Sequence, residues 1–345
     1  MTDIFMASGV ALIISLFLTP IIIKFAYLVG AVDIPKDERR VHKKPIALLG
    51  GVSIYIAFLL GMIIKEGVIT SGEVGVIIGG TIIIIGGVWD DLKPLRPWGK
   101  MFFQLSAALV LIGFNVSINV ITNPFSGTIP YLDIGLLGIP FTIIWVVGIT
   151  NAFNFIDGLD GLSAGVGFIS SVTLLIIAII NGRYDAALVT AVLSGSLLGI
   201  IPYNFFPASI FIGDAGAQFI GFILAAASIM GAIKSAATFA VAIPILALGL
   251  PIYDTLFAII RRKINGRPVS EADKGHLHHR LLDTGRSQRK VVLLLYLFSC
   301  ILGGFSILAM NLSNRRAYFL AACIVSLIFV ICLKLGVFEK EKEKK

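Results

Sequence analysis

The chain has 345 residues, of which 57% are hydrophobic and 14% charged, with a mean hydropathy of +0.96 and a formal charge of +8. A soluble globular domain carries about 45–50% apolar and roughly 25% charged residues, so a soluble fold is excluded. The nucleic-acid reading that a pI near 9.4 would otherwise invite goes with it, because membrane proteins collect Lys and Arg in cytoplasmic loops.

The charged residues cluster between apolar runs of about twenty residues, the length that crosses roughly 30 Å of hydrocarbon. The first run, 4–29, follows Asp3 rather than a basic stretch and is too long for a signal-peptide core, so it is expected as a retained helix. Next come 47–64, 74–89, 101–118 and 139–153. The stretch 116–136 holds Asn123, Pro124, Gly127 and Pro130, which favour a short hairpin or loop over a helix. Then follow 163–180, 186–202, 217–231 and 238–260. Pro244 and Pro251 interrupt the last of these, either kinking one helix or breaking it where backbone lines a cavity. The runs 291–310 and 317–337 complete about eleven candidate spans. Cys300, Cys323 and Cys332 lie inside apolar segments, with neither a metal-ligand spacing nor a disulfide framework.

The expectation is an all-α polytopic membrane protein, with residues 1–338 as one integral membrane domain and 339–345 as a charged, solvated tail. Of the 28 Lys and Arg, only Lys65, Arg183, Lys234, Arg315 and Arg316 fall in one set of alternate loops. The basic-rich set belongs in the cytoplasm, which puts the amino terminus outside and the carboxyl terminus inside.

On that topology Asp90 and Asp91 end the third span, Asp157 and Asp160 follow the fifth, and Asp214 precedes the eighth. All five reach the cytoplasmic boundary, where repeated acids with no neighbouring base suggest a divalent cation among them. In Asn151-Ala-Phe-Asn154-Phe-Ile-Asp157-Gly-Leu-Asp160-Gly-Leu the polar residues recur every third position, so on a helical or 3₁₀ turn they form one stripe. Gly158 and Gly161 remove side chains beside the two acids and let a ligand approach the backbone. Phe211-Ile-Gly213-Asp214-Ala-Gly216 opens a helix with free N–H groups and one carboxylate, which suits a metal-bound phosphate. The loop 261–290 carries His276-Leu-His278-His279-Arg280, whose groups are donors to phosphate and sugar oxygens; a zinc reading lacks a further ligand type at suitable spacing. His42 and Lys44 sit in a first basic loop, Arg39-Arg-Val-His-Lys-Lys-Pro45, which is a topology determinant or also attracts an anionic ligand.

Taken together, the motifs resemble the polyprenyl-phosphate N-acetylhexosamine-1-phosphate transferases (glycosyltransferase family 4) over nearly the whole chain. Five occur in the family's order: His42-Lys-Lys-Pro45 leading to Gly50-Gly51, Asp90-Asp91, 151–162, 211–216 and 276–280. The likeness is strongest to the bacterial enzymes that start O-antigen, enterobacterial common antigen or wall teichoic acid synthesis. The muramoyl-pentapeptide branch has three consecutive histidines followed by an aromatic and an acid, whereas here Leu277 interrupts the series and Arg280 follows it.

The resemblance implies a UDP-N-acetylhexosamine entering from the cytoplasm, a polyprenyl phosphate from the bilayer, and products of polyprenyl-diphosphate-sugar and UMP. It assigns the metal aspartate to Asp214 and the paired acids to Asp90 and Asp91, with magnesium, or manganese in its place, as the cofactor. Asp157 and Asp160 fall on the uridine side, and Asn151, Asn154 and Gly158 are expected to bind substrate beside them. Phe211 is the stacking aromatic, Asn204 a further polar contact, and His278 and His279 the central histidines, flanked by His276 and Arg280. The implied setting is the plasma membrane, with the active site on the cytoplasmic face and a homodimer admitted. A membrane prenyltransferase would show two Asp-rich helices with acids about four apart. A transporter would account for the interrupted ninth span and the intramembrane Asp254, but not for polar motifs confined to one face.

Overall fold

The computed structural model describes residues 2–34, 45–65, 67–122, 131–232, 242–266, 275–310, 312 and 314–334. Each apolar run has a helix beneath it. α1 (Thr2–Val29), α2 (Gly50–Ile63), α3 (Ser71–Leu92) and α4 (Pro97–Gly113) precede α5 (Gly138–Ile156), α6 (Leu162–Ile180), α7 (Tyr184–Asn204) and α8 (Gly213–Ala232). The later helices are α9 (Ala242–Ala247), α10 (Gly249–Ile264), the short α11 (Leu277–Asp283), α12 (Gln288–Met310) and α13 (Asn314–Lys334). Seven of them, α1, α3, α5, α6, α7, α8 and α12, are long and apolar enough to cross a membrane. The chain is therefore an all-α polytopic membrane protein.

Two small antiparallel ribbons complete the described fold. β1 (Val32–Asp33) pairs with β2 (Ile46–Ala47), and β3 (Val120–Thr122) with β4 (Tyr131–Asp133). The second is the hairpin anticipated near 116–136; its tip, like the tail 339–345, lies outside the described residues.

α7 and α8 form the centre. The apolar window of α8 is 83% buried, against 28% for that of α1, whose outer face presents Phe5, Phe17 and Leu28. Lipid offers no hydrophobic drive between helices, so close approach depends on small residues. Gly79 and Gly80 of α3 receive the Phe222 and Phe219 rings of α8, and Gly87 abuts Ala215. Phe219 also stands edge-on to Tyr55 and Phe58 of α2, at 5.6 and 5.4 Å between centroids. α2, α3 and α8 are thereby packed together, with the Gly87–Ala215 contact at the end where the acids lie.

The ninth run is two helices that part at Leu248. Pro251 has no N–H to offer the Ala247 carbonyl. Ser170 of α6 supplies a donor at 2.9 Å, so the buried Ala247 carbonyl keeps a partner across the break.

Candidate functional site

The C-terminal ends of α3, α5 and α7 meet the N-terminal ends of α4, α6, α8 and α12 at one end of the bundle. There Asp91 caps a helix that is not its own. Its Oδ1 accepts the Asp214 N–H at 2.8 Å and its Oδ2 the Ala215 N–H at 3.2 Å. These are orphan donors of the first turn of α8, and the carboxylate also meets the positive end of that helix. Gly213 makes the approach feasible: its φ is +68°, and a Cβ there would lie 2.5 Å from Asp91 Oδ2. The Gly50-Gly51 motif docks on the same turn, with Gly50 N–H donating to the Phe211 carbonyl at 3.0 Å and Gly51 N–H to that of Ile212 at 2.9 Å.

Beside this cap Asp90 accepts the Leu95 N–H at 2.7 Å and pairs through its other oxygen with Lys100 Nζ at 2.7 Å. The same ammonium pairs with Asp214, whose carboxylate also hydrogen-bonds the Asn154 amide. Lys100 thus bridges two acids 124 positions apart in sequence (214 − 90 = 124). The sequence reading missed it, counting it only among the loop cations. The available signal was its place in the first turn of an apolar helix, next to the acids.

One turn deeper lies a second layer. Gln104 follows Lys100 by four positions, Gln218 follows Asp214 by four, and Asn151 precedes Asn154 by three. Gln104 Nε2 donates to Gln218 Oε1 at 2.9 Å, and Asn151 Nδ2 donates to Gln104 Oε1 at 2.7 Å. Buried amides inside apolar helices are stable only when mutually bonded. This set fixes the relative heights of α4, α5 and α8, and with them Lys100, Asn154 and Asp214. Asn151, expected at the substrate, belongs to this support.

Four of the five predicted acids and the aromatic line a cavity of about 400 Å³, while Asp90 stands outside its wall. Its wall holds Asp91, Asp214, Asp157, Gly158, Asp160, Asn204, Phe211 and His279, all anticipated, together with Asp33 and Gln288, which were not. Asn204 also donates to the Ile210 carbonyl at 2.8 Å, and Asp160 accepts the Ala208 N–H at 3.0 Å, so both shape the turn that leads to Phe211. Burial first, and then the charges of Asp214, Asp91 and Asp160, push the Asp157 carboxyl well above the usual carboxylate range.

The histidine motif reaches the cavity only in part. His279 lines it, while His278 is buried with its Nε2 lying against Gly158. The two rings are 4.3 Å apart at 44°. Burial, and then the charge of His279, push the His278 ring down to about 3 against a weaker opposing effect of Asp254, so it is neutral near pH 7. His276 is turned away onto Asp254, at 2.6 Å, and neither it nor Arg280 is part of the cavity wall. His42 and Lys44 lie outside the described residues.

The donor set suits a hard cation. Among the described residues no three His, Cys, Asp or Glu side chains form a closed metal cage. Magnesium, however, is commonly held by one or two carboxylates together with substrate phosphates. Asp91 and Asp214 offer oxygen ligands at the cavity, and the Lys100 ammonium between Asp90 and Asp214 marks where positive charge is already held.

Acids gathered at helix ends around one cavity, with a histidine turn beside them at one end of a membrane helix bundle, fit the class of membrane glycosyl-phosphate transferases. The chain belongs to glycosyl transferase family 4, whose model matches residues 74–232. It is 39% identical to the probable undecaprenyl-phosphate N-acetylglucosaminyl 1-phosphate transferase of Bacillus subtilis, over 92% of this chain and 87% of that one. The decaprenyl-phosphate N-acetylglucosaminephosphotransferase of Mycobacterium leprae is 36% identical, over 92% and 86% of the two chains. The undecaprenyl-phosphate alpha-N-acetylglucosaminyl 1-phosphate transferase of Thermotoga maritima is 28% identical over 93% and 95%.

Proposed function

We propose that this enzyme transfers N-acetylglucosamine 1-phosphate from UDP-N-acetylglucosamine to a polyprenyl phosphate, leaving UMP. The observation that carries the reading is the single cavity into which Asp91, Asp214, Asp157, Asp160, Phe211 and His279 converge from five separate helix ends, in a family whose relatives are named for that reaction.

An oxygen of the lipid phosphate attacks the phosphorus that carries the sugar. The new P–O–P link forms as the bond from that phosphorus to the bridging oxygen of UDP breaks, and UMP departs with the electron pair. Phosphoryl transfer of this kind needs positioning and charge neutralisation rather than covalent help. A phosphate monoester with a second pKa of about 6 is mostly dianionic at neutral pH, so no general base is needed. Asp90 and Asp91 accordingly organise the site. Asp91 holds the first turn of α8 and its N–H groups, while Asp90 holds Lys100 against Asp214. Asp214, with Asp90 or Asp91, would hold magnesium, which would neutralise the diphosphate in the transition state. Phe211 offers a stacking face to the uracil. His279 and Gly158 flank the path to the sugar and its phosphate, with Arg280, His42 and Lys44 as further cationic contacts of the donor.

In this reading the chain crosses the plasma membrane eleven times, with the amino terminus outside and the carboxyl terminus and the cavity on the cytoplasmic side. The basic residues support this orientation. A homodimer fits the apolar outer face of α1. The product would commit the sugar to a cell-envelope polysaccharide or teichoic acid. Purified protein given undecaprenyl phosphate, magnesium and a panel of UDP-sugars should release UMP fastest with UDP-N-acetylglucosamine and form a lipid-linked sugar. Absence of UMP from every pairing would defeat the proposal.

A further inference from the structure

Asp254 is a buried acid in α10, outside the cavity, and the transfer chemistry makes no use of it. An ionisable residue at that depth needs a partner and a reason. Both of its oxygens point to the start of α11. His276 Nδ1 donates to Oδ2 at 2.6 Å, and the Leu277 backbone N–H donates to Oδ1 at 2.7 Å. Two turns further along α10, Arg261 donates to the Gly275 carbonyl at 2.7 Å. One helix face therefore holds three consecutive residues at the entry to the histidine motif.

The held ring passes its orientation on. His276 stacks nearly parallel on His278, at 8° and 5.8 Å between centroids, and His278 in turn rests on His279, which lines the cavity. His278 is fixed from its other side by Gly158, where a side chain would collide with the ring. Nothing in this chain of contacts depends on a ligand. A ring clamped by a carboxylate behind it is the usual way in which a functional imidazole is oriented.

We propose that Asp254 is a positioning residue for the reaction, acting through His276 and His278 to set the His279 ring in the cavity. The pair explains why an acid stands inside the ninth apolar run and why a histidine one position before α11 turns away from the cavity. The proposal rests on the reading of the cavity as the substrate site, and its test separates the two.

Asp254→Asn preserves volume but removes the charge that orients His276. It should lower kcat/KM by about 10–100-fold, the usual loss when a partner behind a functional side chain is removed. In a His279→Ala background the same change should cost no more than about 2-fold, because the ring being positioned is gone. A purely structural role would give equal losses in both backgrounds. His276→Gln, which leaves Asp254 in place, should repeat the pattern and serves if Asp254→Asn does not fold. In parallel, the ring ¹⁵N signal of His279, assigned by its disappearance in His279→Ala, should move in either variant of the full chain without any substrate present. Equal losses in the two backgrounds, or an unmoved His279 signal, overturn the proposal. Lack of turnover by the wild type on any UDP-sugar would count against the transferase reading alone, and the ring signal would still decide this one.

Discussion

Gly51→Ala adds a single methyl group to α2, and the structure says where it must go. A Cβ at this position would stand 2.6 Å from Gly216 Cα and 2.9 Å from the Ala215 carbonyl carbon of α8. Carbon atoms rest at about 3.5–4.0 Å, so the two helices must part by roughly 1 Å at this level. The obstacle is backbone, and no side-chain rotation relieves it. Asp214 sits two residues before Gly216, on the turn that Asp91 caps and to which Gly51 donates its own N–H. A misplacement of about 1 Å at a reacting centre costs on the order of 10²-fold, whereas overpacking costs about 1–3 kcal/mol of stability. The expected outcome is a protein that still purifies, with a modestly lower thermal midpoint and kcat/KM for UMP release down about 100-fold. Gly9→Ala on α1, where nothing lies within 4 Å of the added carbon, should match the wild type. Wild-type turnover in Gly51→Ala would refute the view that helix spacing at the start of α8 sets the reaction geometry.

Asp214→Asn keeps shape and removes the charge that a cation needs, so turnover should fall by orders of magnitude with expression intact; near-normal rates at ordinary magnesium would locate the cation elsewhere. Lys100→Met leaves Asp90 and Asp214 without the ammonium that both face, and two acids sharing one site then disfavour each other's ionised form. Activity should drop at least 100-fold, with partial recovery in Lys100→Arg, and equal rates in all three proteins would show the bridge to be idle. Burial lowers the His278 ring from 6.5 to about 3, so the native state binds fewer protons than the unfolded chain between those values. The stability this gives is complete above 6.5 and is lost as pH falls toward 3. The fall in thermal midpoint from pH 7.5 to 5 should be smaller in His278→Gln, and identical falls would mean that the ring is not held neutral.

The helices were legible because each is an apolar run bounded by charge, and the break in the ninth was legible because Pro251 cannot donate to Ala247. The individual acids were legible too, since carboxylates at the ends of apolar helices have few structural reasons to be there. The stripe of four polar residues, Asn151, Asn154, Asp157 and Asp160, is divided by the end of its helix. α5 ends at Ile156, so Asn151 stays below with Gln104, Asn154 meets Asp214, and only Asp157 and Asp160, beyond the helix, turn into the cavity. Gln104 and Gln218 escaped notice, and so did the tie from Lys100 to Asp214, because these partners lie 47 to 114 positions apart. No local pattern marks such pairings, although a polar side chain one turn inside an apolar helix was a usable hint. His276 was grouped with its neighbours by sequence, yet it sits just before α11 on the side that faces α10, so it answers Asp254 instead of the substrate.

If one phosphoanhydride is exchanged for another at the Asp214 end of α8, the reaction runs close to equilibrium in both directions. Labelled UMP supplied with undecaprenyl-diphosphate-N-acetylglucosamine should therefore appear in UDP-N-acetylglucosamine, in proportion to enzyme, only when the lipid-linked sugar and magnesium are both present, and not with Asp214→Asn. Exchange that continues in excess chelator, or that survives in Asp214→Asn, would contradict this reading.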